Sequence, residues 1–159
     1  MFARHHGPAR SRTGRRGTTT VETAVVLPVY LLFLFAIFEF GHAYLITNML
    51  NSACRNAARV GAVEGSSTAL VRTQVQQIAE TVVRPNAVQI FVKNASVFDD
   101  GSSPVGSALE SLPDIELLDA ESRTLFVVRA KVPYRDIAII PLPFLRDVEL
   151  NAQAFMRHE

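Results

Sequence analysis

Residues 23–38 read TAVVLPVYLLFLFAIF, sixteen positions without a charged side chain. Aliphatic and aromatic residues fall on every face of a helix wound from this run, whereas a surface helix of a soluble domain shows one apolar stripe. Sixteen residues rise only about 24 Å at about 1.5 Å each, and a bilayer core of about 30 Å asks for nearer 20. The run therefore has to recruit neighbours. After Glu39 the stretch FGHAYLIT continues apolar to Thr47, which sets a membrane-spanning helix over residues 18–47. A helix buried in a soluble core is the alternative, and the charges before the run argue against it.

Residues 1–17 hold five arginines (Arg4, Arg10, Arg12, Arg15, Arg16) and no acid, so a chain of net charge +1 carries −4 beyond that tail. Basic residues beside a spanning helix stay in the cytoplasm. The expected topology is a cytoplasmic leader over 1–17, one crossing of the cytoplasmic membrane, and an extracytoplasmic headgroup over 48–159. The tail lacks aromatic interleaving and a following recognition helix, so nucleic acid is not an expected partner. A cleaved secretory signal lacks its small-x-small site. Cys54 lies past the apolar run and is the only cysteine, which excludes an intrachain disulfide, a multi-cysteine metal site and a lipoprotein anchor.

The junction reads Arg15-Arg16-Gly17-Thr18-Thr19-Thr20-Val21-Glu22. A glycine after basic residues, with a carboxylate five positions later at the edge of an apolar helix, is the type IV prepilin pattern. Glycine offers a protease an unobstructed backbone, so Gly17 would end the leader and Thr18 would begin the mature chain. Glu22 at the membrane edge is costly unless paired, and a freed amino group is a natural partner.

Residues 15–62 resemble the TadE-like family. The pieces that carry the resemblance are Arg16-Gly17, Val21-Glu22, Leu27-Pro28, Glu39-Phe40-Gly41 and Ala57-Ala58-Arg59-Val60-Gly61-Ala62, with the segment 150–157 similar to the family's closing strand. Thr23 stands where an aromatic commonly follows the glutamate. The resemblance implies a pseudopilin or minor pilin of the tight-adherence (Tad, or Flp) pilus and secretion apparatus. Its implied partners are membrane lipid, other pilin-like subunits, the inner-membrane platform and a prepilin peptidase. It implies no enzyme, cofactor or small-molecule substrate.

Glu39 has two readings. A carboxylate at mid-bilayer costs about 2.5–3.5 kcal/mol on insertion scales and would seek a partner helix, with His42 on the same face able to share a hydrogen bond. Alternatively it sits at the outer interface in water. Pro28 would kink the helix or open its hydrogen bonding.

Beyond the span, Ile46, Leu50, Ala53, Ala57 and Val60 repeat at helical spacing opposite Asn48, Ser52, Arg55 and Arg59, until Gly61 and Gly65-Ser66-Ser67. A second helix fits 68–83, with Val71, Val75, Ile78 and Val82 on one face and Pro85-Asn86 as its stop. Alternation predicts strands over 88–92, 125–134 and 148–156. The fold class is therefore α+β, a long transmembrane helix extending into a small pilin-like headgroup whose antiparallel sheet packs on helices. Residues 99–122 form an acidic connection, read as a solvated loop, since its spacing matches no calcium loop. The apolar run 137–145 with its two prolines is either tucked under the sheet or exposed to a partner or the membrane surface. Known catalytic motifs are absent and His42 is the only histidine in the body of the chain. The competing function is a single-pass adaptor or ligand-binding receptor, and leader removal at Gly17 distinguishes the two.

Overall fold

A computed structural model of the chain describes residues 14–84, 87–99, 101, 109–140, 145 and 147–159, apart from the side chains of 14–16 and 18. Most of the arginine-rich tail, the Pro85-Asn86 stop, Asp100 and residues 141–144 lie outside the described residues. Helix α1 spans Gly14–Ala62 and continues through Pro28. Helix α2 covers Thr68–Ala79. Strands β1 (Gln89–Asn94), β2 (Leu125–Pro133) and β3 (Glu149–Arg157) form an antiparallel sheet in the order β1-β2-β3. The α+β class and all three alternating runs are borne out. The chain divides into two compact units, Met1–Phe38 and Glu39–Glu159.

In the first unit, α1 offers lipid-like surface in all directions. Val25, Tyr30, Leu32, Phe33 and Phe38 are each at least 60% exposed. The Thr23 hydroxyl donates to the Thr19 carbonyl at 2.8 Å, so this polar group is satisfied within the helix, as an apolar solvent requires.

The second unit buries the other part of α1. Ile46, Leu50, Ala53, Cys54, Ala57 and Ala58 enter the core, while Asn48, Ser52, Arg55 and Arg59 stay in solvent. The sheet's register sets Val92 opposite Val128 and Val128 opposite Ala154. The face that carries these residues, with Phe126, Ala130 and Val132, closes on α1 and α2 in one apolar cluster. Small residues on α1 let the backbone come close. Gly61 lies inside the helix, and a Cβ there would stand 2.7 Å from Val71 Cγ2 and 2.9 Å from Leu117 Cδ1. Its role is close packing rather than helix termination. Gly61→Ala should lower headgroup stability by about 1–3 kcal/mol, read as an earlier urea midpoint. The reversal after α1 instead uses Gly65, at φ +81°.

Helix α2 starts where Ser67 accepts from the Leu70 amide at 3.2 Å and the Glu116 carboxylate accepts from the Thr68 amide at 2.9 Å. That amide bond holds the Glu116 carboxyl below the usual range. The helix ends at Ala79, short of the expected Val83, because the amides of Val82 and Val83 both turn back to the Ala79 carbonyl, at 3.0 and 2.9 Å. The tightened turn buries Ala79 and Val83 and leaves Val82 exposed.

The acidic connection departs from a plain solvated loop. Leu109 is buried with Val127 and Ala95 on the outer face of the sheet. Glu110 meets Lys131 at 2.8 Å and Asp114 meets Lys93 at 3.0 Å. The acids over the sheet thus face the cations that alternate along its strands, and the bonds from Lys131 to Glu110 and to Glu149 on β3 lift its ammonium above the ordinary range. Among the described residues, no group of three histidine, cysteine or acidic side chains is arranged to hold a metal ion.

Candidate functional site

The residues singled out in the sequence fall in two places. Gly17 sits on α1, and a Cβ there would meet nothing within 4 Å, so its backbone is open to approach. Thr18 has no described side chain. Glu22 is exposed, at the start of the apolar run. These three lie in the first compact unit.

Glu39 and His42 lie in the second. Glu39 is 1% exposed, which is unusual for a carboxylate. It survives there because three donors converge on it. The Tyr134 hydroxyl donates to one carboxylate oxygen. The Ile139 amide donates to the same oxygen at 3.1 Å, and the Ile140 amide to the other at 3.2 Å. Burial pushes the Tyr134 phenol above its ordinary range, and the hydrogen bond and charge of Glu39 add to the shift. Neither sequence reading of Glu39 describes this arrangement. The carboxylate is not solvated, and its acceptors are filled from its own headgroup rather than by a partner helix.

Tyr134 reaches Glu39 because β2 ends at Pro133 and the next residues wind into a short 3-10 turn, Tyr134–Asp136. That turn aims the phenol at α1 and leads the chain on to Ile139 and Ile140. The clamp therefore ties the segment after β2 to a single helix position. His42, one turn further along α1, is not bonded to Glu39, and its Nδ1 is buried without a partner. The shared hydrogen bond suggested by the spacing does not form.

Sequence reasoning missed Tyr134 and the two isoleucine amides. The separation from Glu39 is 95 residues to Tyr134 and 101 to Ile140, and backbone donors leave no trace in residue types. A faint signal did exist. A carboxylate isolated in an apolar run demands donors, and a tyrosine at the end of an alternating strand is one.

Cys54 is fully buried, and burial pushes its thiol up to about 11. It is a packing residue and a concealed chemical reporter of the folded headgroup.

Residues 17–59 match the family model described as TadE-like protein. The matched stretch includes Gly17, Thr18, Glu22, Glu39 and His42. No curated protein and no solved structure matches the chain.

Proposed function

We propose that this chain is a membrane-anchored pseudopilin or minor pilin that takes part in assembly of the Tad pilus or its associated secretion. The observation that carries the reading is that the TadE-like match over 17–59 begins at the glycine after the basic tail and runs along the apolar helix. One helix in the described residues is long and apolar enough to cross a membrane.

The Glu39 clamp refines where the crossing would end. A residue bonded into the headgroup cannot also sit at mid-bilayer, so the span is best assigned to about residues 21–38. That length gives about 27 Å, matching a thin bilayer core with little tilt. Glu22 then marks the cytoplasmic edge and Glu39 the outer one. Gly17 is the site for a prepilin peptidase, and Glu22 the charge offered to the amino terminus of a neighbouring subunit. The other partners are lipid, pilin-like subunits and the inner-membrane platform.

The basic tail sets the N-terminus inside. A reporter fused after Glu159 should therefore be active only outside the cytoplasm, and the protein should leave the membrane fraction only with detergent. A reporter active in the cytoplasm, or a chain released by salt, would overturn the assignment.

A further inference from the structure

The headgroup has two distinct ends. Strand β2 begins near the end of α1, where the Glu159 amide bonds the Ala62 carbonyl at 2.8 Å and the His158 amide bonds the Thr124 carbonyl at 3.0 Å. It finishes at Pro133, beside Tyr134 and the Glu39 clamp. The connection after β2 therefore lies at the Glu39 end, and the turn Leu117–Asp119, reached through Glu116 from the start of α2, lies at the other.

The Glu39 end is apolar where it meets solvent. Ile139 is 64% exposed, and on α1 Phe40 and Tyr44 are 56% and 68% exposed. The described residues there are 137–140, which follow Arg135-Asp136 and open a run of nine uncharged residues (137–145) in the sequence. The backbone of this connection is prepared for an apolar medium. The amides of Ile137 and Ala138 both donate to the Tyr134 carbonyl, at 3.1 and 2.9 Å. Those of Ile139 and Ile140 donate to Glu39. Residues 141 and 143 are prolines and carry no N–H. From 137 to 141 no amide donor is left without a partner. Water makes no such demand of a loop, whereas hydrocarbon does.

We propose that residues 137–140, where this connection begins, form a lipid-docking loop. Ile139 enters the outer leaflet of the bilayer that the anchor crosses, Phe40 and Tyr44 lie at the interface as aromatic residues do, and Glu39 holds the loop to the helix at that depth. The headgroup then has a second attachment to the membrane besides its covalent one. The exposed Arg135 beside it suits the phosphate zone. The inference rests on the membrane-anchored reading given above.

The chain has no tryptophan, so single tryptophans report depth without background. The full chain is reconstituted in phosphatidylcholine–phosphatidylglycerol vesicles, part of whose phosphatidylcholine is brominated either high or low on its acyl chains. Three variants are compared, each at an exposed position: Phe33→Trp in the span, Ile139→Trp in the loop and Leu118→Trp at the far end. The expected result is loss of Phe33→Trp emission to deep bromines, loss of Ile139→Trp emission to shallow bromines with a blue shift, and neither for Leu118→Trp. An unquenched Ile139→Trp beside a quenched Phe33→Trp overturns the docking loop and leaves the anchor standing; a neighbouring subunit would then be the cover for this patch. Equal quenching of Leu118→Trp and Ile139→Trp also overturns it, because contact would not be confined to the loop. An unquenched Phe33→Trp overturns the membrane reading itself.

Discussion

Glu39→Ala should lower the stability of the headgroup by about 3 kcal/mol, since it strands a buried hydroxyl and two backbone amides at once. The loss is large because the Tyr134 hydroxyl has no water to fall back on: Tyr134 is 3% exposed and its acceptor Glu39 1%. Glu39→Gln keeps the shape but exchanges an acceptor oxygen for a donor that faces an amide N–H, and should cost about 1–2 kcal/mol. Tyr134→Phe removes one of the three donors and should cost a similar amount. Cys54 provides the measurement. Its thiol is fully buried, so alkylation in rising urea reports the unfolded fraction of the intact chain in detergent. An unchanged midpoint for Glu39→Ala would show that the clamp does not hold the headgroup together.

The same pair sets an alkaline limit. The phenol's ordinary value is 10.0 and the folded headgroup raises it, so the protonated form is favoured by folding. Its contribution is complete below about pH 10 and is lost as pH rises above that. The difference in stability between the wild type and Tyr134→Phe should accordingly shrink in alkali.

Gly17→Val and Glu22→Ala should both abolish assembly, through different steps. A β-branched side chain at Gly17 obstructs the backbone a peptidase must grip, so that variant should accumulate as a full-length, membrane-inserted protein. Glu22→Ala removes a charge that is costly at the membrane edge. Insertion and processing should therefore be unharmed while recruitment to the Tad machinery falls. N-terminal sequencing separates the two: Thr18 first in the Glu22 variant and in the wild type, Met1 in the Gly17 variant. A wild-type protein that still begins at Met1 would remove the processing step and leave the anchored subunit.

What the sequence makes legible here is local. The strand alternation of Val128, Ala130 and Val132 and the three- and four-residue spacing of Leu50, Ala53 and Ala57 depend only on the period of each element, and both faces are buried as expected. Hydropathy reads less well where two solvents favour the same residue. Ile46 and Phe33 are equally apolar, yet Ile46 is buried under the headgroup at 2% exposure and Phe33 is 68% exposed. The compact headgroup unit consequently starts at Glu39, nine residues before the boundary that an apolar run suggests. The Glu39 clamp was illegible because two of its three donors are main-chain groups. The end of α2 is not legible, because Val82 continues the periodicity that the backbone abandons at Ala79.

We propose that this chain acts in Tad pilus assembly as an anchored subunit. The most direct test is the count of Tad pili on the cell that encodes it after deletion of the chain, with the wild type, Gly17→Val and Glu22→Ala each restored at equal membrane abundance. Pili should be lost on deletion and regained with the wild type but not with either variant. Pili at the normal count in the deletion strain would contradict this role.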